Sequence, residues 1–176
     1  DISSNFGADI CSKINNGNWH IFPSISKLKL YKFILGWAIG EYNFKNKNIL
    51  KTILLPKNIN KKLLIAKLAG IFYGKELINI PSSDMGPDAF EKSFNGFASY
   101  HNVNSKVIKG KEILEGFPLI YAVGKASVEE PRLLELNWGS KNHPSIILIG
   151  KGVCFDTGGL DLKPSQYMRN MKKDMG

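Results

Sequence analysis

Arginine is nearly missing from this chain. Of 24 basic residues only Arg132 and Arg169 carry a guanidinium, although the formal net charge is +9. Arg is the side chain that grips bases and phosphates bidentately. The excess charge therefore reads as a solvated lysine surface and not as a nucleic-acid groove. Lysine, asparagine and isoleucine crowd stretches such as NFKNKNILK and LPKNINKK, a bias spread along the chain. Cysteine is equally scarce, with only Cys11 and Cys154. Two cysteines make no disulfide framework, and a reducing, intracellular setting is the simpler reading. Neither has a spaced Cys or His partner that would mark a thiolate metal site. No run of about 18 apolar residues occurs, which speaks against a membrane span. The opening DISSNFGADI has no basic-then-apolar leader and reads as an internal start. Internal repeats and long low-complexity linkers are also lacking.

What is present suits a globular chain with a real core. The 176 residues are 43% hydrophobic and 22% charged, enough for one domain or two partial ones. KLKLYKFILGWAIGE (27–41) has helical spacing, with Leu28, Tyr31, Leu35 and Ala38 on one face, Phe33, Ile34 and Trp37 widening it, and Gly36 and Gly40 weakening it. ILKTILLP (49–56) reads as a strand ended by Pro56. A stronger helix runs from Asn60, its cap, to about Ile78, with Leu64, Leu68 and Phe72 as its stripe. PSSDMGP (81–87) is a loop. Pro87 and Asp88 then open a helix that buries Phe90, Phe94 and Phe97 and ends near His101. Strands are expected at 105–110, 117–124, 132–139 and 144–150, with a short helix at 111–116. PSIILIG (144–150) is the clearest, an uninterrupted apolar run of the kind covered on both faces. The pattern predicts an α/β protein with a mixed sheet, and a boundary near residues 60–80.

Behind that last run stands the chemistry: LIGKGVCFDTGGLDLKPSQYMRNMKKDMG (148–176). Functional groups in α/β sheets gather at the carboxyl ends of strands. Lys151 sits there between Gly150 and Gly152. Asp156 follows, then Thr157 and the pair Gly158–Gly159. LDLK alternates, so Leu160 and Leu162 share one face and Asp161 and Lys163 the other. SQYMRNMKKDMG reads as a short helical turn with Met168, Met171 and Met175 on one side and Asp174 at its end. Three readings compete. A P-loop fails on spacing, because Gly152 follows Lys151 where Ser or Thr is required. A structural reading pairs Lys151 with Asp156 and leaves the glycines to make a turn. It does not explain why two lysines and two aspartates recur around glycines that clear space. A metal site is the third reading. Carboxylates suit divalent cations, and a lysine serves as a ligand once burial and an adjacent dication favour its neutral amine. A second, cationic lysine would then polarise a substrate carbonyl.

The stretch closely resembles the signature of the leucyl aminopeptidases, the M17 family: G-K-G, F-D-[ST]-G-G, K-P, then M-x-x-D-M-G. Every spacing matches, with Thr157 where Ser is commoner. INIPSSDMGPDAF (78–90) resembles the family's N-x-P-x-x-D-x-G-P loop. FPLIYAVGKAS (117–127) and PRLLELNWG (131–139) look like its next strands, and YKFILGWAIGEYNFKNK (31–47) is similar to the end of an N-terminal domain. The resemblance implies a largely parallel mixed sheet flanked by helices, in two partial domains. Residues 1–70 would be the C-terminal part of an N-terminal α/β domain, and 71–176 the N-terminal part of a dizinc catalytic domain. It implies a cytoplasmic hydrolase, a metalloaminopeptidase that releases leucine-like N-terminal residues from peptides, assembled as a homo-hexamer with no membrane partner. Two divalent ions, zinc or manganese, would sit about 3.5–4 Å apart and share a nucleophilic water, with bicarbonate as a further cofactor. By the same resemblance Lys151, Asp156 and Asp174 are metal ligands, Asp156 bridging. Lys163 is the catalytic, electrophilic lysine. Lys151, Asp156, Lys163, Met171 and Asp174 together meet the substrate, and Met171 lines the pocket for its first side chain.

The family pattern continues with N-T-D-A-E-G-R, whose Asp and Glu complete both metal sites and whose Arg anchors the bicarbonate. No equivalent stands in these residues, and Glu129 and Glu130 lie in a loop without that pattern. The expectation is a fragment inactive by itself. The rival from another class is a scaffold or DNA-binding role.

Overall fold

The computed structural model describes residues 4–21, 25–45, 48–159 and 162–176. The chain divides into two compact units, Asp1–Leu77 and Ile78–Gly176. Elements of both classes fill it, which makes it an α/β protein with small sheets.

In the first unit α1 (Ser4–Lys13) is followed by β1 (Gly17–His20), α2 (Lys27–Glu41), β2 (Lys51–Leu54) and most of α3 (Lys61–Asn79). β1 and β2 pair in parallel, Gly17 opposite Lys51 and His20 opposite Leu54. Ser26 caps α2, its side chain accepting from the Lys29 N–H at 3.4 Å. Asn60 caps α3 as the sequence predicts, accepting from the Leu63 N–H at 3.0 Å. Leu30, Ile34, Ile59 and Leu64 form the core. The buried side chains of α2 are Leu30, Ile34 and Trp37; Ile34 and Trp37 belong to the widened edge of the predicted face, whereas Leu28 at its centre is 64% exposed. The cause is α1, which periodicity did not reveal. It lies on α2 through glycine. A Cβ on Gly36 would come within 1.8 Å of the Ser4 carbonyl oxygen, and one on Gly7 within 2.1 Å of that of Phe33. The glycines that weaken the helix in isolation let two backbones touch. Glu41 closes the unit. Its carboxylate accepts from the Leu50 and Lys51 N–H groups at 2.7 and 3.1 Å and from the Cys11 thiol at 3.5 Å.

The second unit holds α4 (Pro87–Tyr100), β3 (Asn104–Lys109), α5 (Lys111–Gly116), α6 (Pro118–Gly124), β4 (Arg132–Asn137), α7 (Ser165–Met168) and a 3-10 turn at Met171–Met175. β3 and β4 are antiparallel, from Asn104 opposite Asn137 to Lys109 opposite Arg132. The N-cap of α4, Gly86, has no side chain to offer. Glu129 replaces it, accepting from the Asp88 N–H at 2.6 Å. The phenylalanines of α4 are half-buried, and Ala98 is its fully buried residue.

Two expected strands are not strands. Of residues 117–124, Pro118–Gly124 form α6, because Pro118 has no N–H for a ladder and fits the first turn of a helix. Residues 144–150 pair with no strand among the described residues. Ile146, Ile147, Leu148 and Ile149 are 85, 82, 92 and 93% exposed. An apolar run needs neighbours and cover on both faces to be a strand, and the described residues supply neither. The predicted alternation of LDLK involves Leu160 and Asp161, which lie outside the described residues. Among those described, no helix is long and apolar enough to cross a membrane.

Candidate functional site

Lys151 follows the exposed apolar run in the loop Gly150–Gly152. Gly152 lies against α4, where a Cβ would stand 3.0 Å from the Phe90 ring. Phe90, read from the sequence as core alone, thus backs the loop that carries Lys151. The Lys151 ammonium points to the 3-10 turn and pairs with Asp174 Oδ1 at 3.0 Å.

The second half of the site is built by a glycine turn. Asp156 Oδ1 accepts from the Gly158 N–H at 2.8 Å. Gly158 and Gly159 have φ of +78° and +75°, a region side chains avoid. Space matters as much as φ, since a Cβ on Gly158 would fall 2.7 Å from Lys163 Cγ. The turn is closed by the Lys163 N–H, which donates to the Thr157 carbonyl at 3.2 Å. Lys163 Nζ then reaches back to Asp156 Oδ2 at 2.5 Å and touches Met171 Sδ at 3.5 Å. Lys163 and Asp156 are about one-third exposed, at 34 and 35%.

The structural pairing of Lys151 with Asp156 is thereby corrected. Lys151 takes Asp174 and Lys163 takes Asp156, because the turn at Gly158–Gly159 folds Lys163 back on its near neighbour. The five residues singled out in sequence still form one cluster. Lys163 touches Asp156 and Met171, Met171 shares its turn with Asp174, and Asp174 holds Lys151. The Asp156 carboxyl is held below its usual range, first by the hydrogen bond from Lys163, then by that from Gly158, with Lys151 adding a smaller field. Alongside lies an open cavity of about 720 Å³ lined by Phe155, Thr157, Ser165, Gln166, Met168 and Arg169.

Two carboxylates, each neutralised by an amine, are a donor set that suits a divalent cation once an amine sheds its proton. Lys151 and Asp174 fit one such ion, and Asp156 offers oxygens to it or to another. Among the described residues no three His, Cys, Asp or Glu gather. Sequence reasoning did not register Lys172, whose ammonium donates to the Asn79 carbonyl at 3.1 Å. No local pattern joins residues so far apart.

Comparison with known proteins points to one family. A family model for the catalytic domain of the cytosol aminopeptidase family matches residues 72–176. A probable cytosol aminopeptidase of Corynebacterium glutamicum is 30% identical over 172 residues, covering 89% of this chain and 34% of that protein. The solved cytosol aminopeptidase of Coxiella burnetii superposes with a TM-score of 0.86 at 34% identity, over 98% of this chain and 39% of that one. A leucyl aminopeptidase of Trypanosoma brucei, solved in complex with bestatin, gives a TM-score of 0.76 at 28% identity, over 96% of this chain and 36% of that one. The chain thus spans about a third of the length of the relatives it matches. Its fold, its signature and the match over residues 72–176 mean that this chain belongs to the cytosol aminopeptidase family, M17.

Proposed function

We propose that the protein of which this chain is part is a metal-dependent aminopeptidase that removes leucine-like residues from the N-termini of peptides. The observation that carries the reading is the joined cluster of Lys151–Asp174 and Lys163–Asp156 around Met171. Two divalent ions, held from this chain by Lys151, Asp156 and Asp174, would supply a water acidified to a nucleophile. Lys151 would hold a cation through its neutral amine, in place of its ion pair with Asp174. Lys163 keeps its proton. With Asp156 engaged by a cation, the Lys163 ammonium would be free to donate to the scissile carbonyl oxygen and to hold the charge that develops there. Met171 presents its thioether to the substrate's first side chain, a soft contact suited to apolar groups. The left-handed turn at Gly158–Gly159 keeps bulk away from that path.

The same reading assigns residues 1–70 to the end of an N-terminal domain and 71–176 to the start of the catalytic one. It takes bicarbonate as an additional cofactor, a homo-hexameric assembly and a cytoplasmic location from the family. The exposed run Ile146–Ile149 then finds its sheet neighbours in polypeptide outside these residues. With three donors from this chain, the 176 residues alone do not hold two metals.

The test is hydrolysis of leucine-p-nitroanilide by the full-length protein with zinc or manganese. Lys163→Ala should lower kcat by about 10²–10³. Full activity in that variant, or no metal dependence in the parent, overturns the mechanism. Calorimetry of the 176-residue chain should show no pair of tight zinc ions; stoichiometric tight binding of two would refute the division of ligands.

A further inference from the structure

We propose that Lys172 is a positioning residue: by bonding the carbonyl at the C-terminal end of α3 it fixes the turn that presents Met171 and Asp174. The proposal rests on the aminopeptidase reading for its consequence, and on geometry alone for the anchor.

The turn Met171–Met175 is a single 3-10 piece. So short an element does not hold its own place. Nor do the ion pairs on its functional side, since Lys151 is 62% exposed and exposed pairs contribute little. Its placement comes from the opposite side. Lys172 Nζ donates to the Asn79 carbonyl at 3.1 Å across 93 residues of sequence, in a half-buried setting. Asn79 is the last residue of α3. The last carbonyls of a helix have no partner within it and carry the negative end of its dipole, so an ammonium there gains twice.

A second contact fixes the same turn at its far end. A Cβ on Gly176 would lie 2.6 Å from Ile78 Cδ1. The backbone therefore runs against Ile78 with nothing between, while Met175 beside it is 9% exposed. The turn is seated on Ile78 and Asn79 at both ends. Its remaining side chains, Met171 and Asp174, meet Lys163 and Lys151. Lys172 stands directly after Met171 and two residues before Asp174, so its anchor sets where both point. Lys173 is exposed and bonds Asn170 and Gly176 through its backbone alone, which makes its side chain an internal control of equal charge.

The experiment uses the chain labelled with ¹³C at its methionine methyls: Met85, Met168, Met171 and Met175. In Lys172→Gln the Met171 and Met175 signals should move by more than their linewidths while Met85 stays. Lys172→Arg, which reaches the same carbonyl, should bring them back, and Lys173→Gln should leave all of them in place. Gly176→Ala should move Met175, and adding Ile78→Ala should reverse it. An unmoved Met171 signal in Lys172→Gln overturns the proposal. So does an equal effect from Lys173→Gln, or a collapse of every signal that Lys172→Arg does not repair. In the full-length protein Lys172→Gln should lower kcat/KM about tenfold, with Lys172→Arg rescuing it. Anchoring by NMR without metal-dependent hydrolysis by the wild type would sink the aminopeptidase reading and leave the anchor standing.

Discussion

Arg132 offers the sharpest test of how the second unit is held. Its side chain is 5% exposed at the start of β4, yet it serves three acceptors. One guanidinium nitrogen bonds Glu91, another pairs with Asp88, and Nε with the second nitrogen donates to the Glu130 carbonyl at 3.1 and 2.9 Å. Burial alone would pull its pKa down. The hydrogen bonds it donates to Asp88 and Glu91 outweigh that and raise it, so it stays charged. Arg132→Met keeps the volume and removes the charge. Removing one partner of a buried pair costs about 3–5 kcal/mol. Two facts place this case at the lower end. Asp88 is 66% exposed and returns to water, and Glu91, 19% exposed, keeps Lys109 at 3.3 Å. A loss of about 3 kcal/mol follows, which for a chain of this length lowers Tm by about 6–12 °C. Differential scanning calorimetry and urea titration read it directly. Asp88→Asn should cost under about 1 kcal/mol, because its partner group is mostly solvated. Glu91→Gln added to Arg132→Met should recover part of the loss, since the orphaned charge goes with it. The effect should also reach the site, because Phe90 sits between Asp88 and Glu91 on α4 and backs Gly152. An Arg132→Met loss below about 1 kcal/mol, or no recovery in the double variant, would refute this account.

Other outcomes follow from the same geometry. Gly36→Ala, with no room against the Ser4 backbone, should cost about 3 kcal/mol or more in urea unfolding followed by Trp37 fluorescence; a neutral result would mean that α1 does not pack on α2. Gly158→Ala combines a φ of +78° with a clash on Lys163, and displacing that ammonium should lower kcat of the full-length protein by about 10²; unchanged turnover would remove Lys163 from the chemistry. The Cys11 thiol is pushed up from about 9 to about 11, chiefly by burial and then by Glu41. A folded pKa above the unfolded one means the stabilisation is complete below about pH 9 and is lost as pH rises towards 11. Cys11→Ser should flatten that part of the stability profile, and a slope unchanged by the substitution would show that Cys11 is not its source.

Some elements were legible because their signals are local. Pro87 with Asp88 marks the start of α4, Asn60 marks α3, and β3 and β4 fall where β-rich runs predict them. Local signals misled where a short apolar run fits either state. Residues 117–124 became a helix through Pro118, and 144–150 found no partner to be a strand with. α1 escaped notice because its packing surface is glycine and Cys11, which carry no hydrophobic period.

The site divides along the same line. The sequence by itself determined which side chains are available: two lysines and two aspartates at fixed spacings, with glycines where a left-handed turn and a clear path are needed. That holds because spacing and conformational freedom are properties of the local chain. Only the tertiary structure decided the pairing. Lys163 reaches Asp156 across 7 residues because Gly158 and Gly159 reverse the chain, and Lys151 reaches Asp174 across 23. It alone brought Asn79 beneath Lys172, 93 residues away. A contact that distant depends on how a helix end and a turn pack together, and packing is a property of the whole unit that no window of sequence contains.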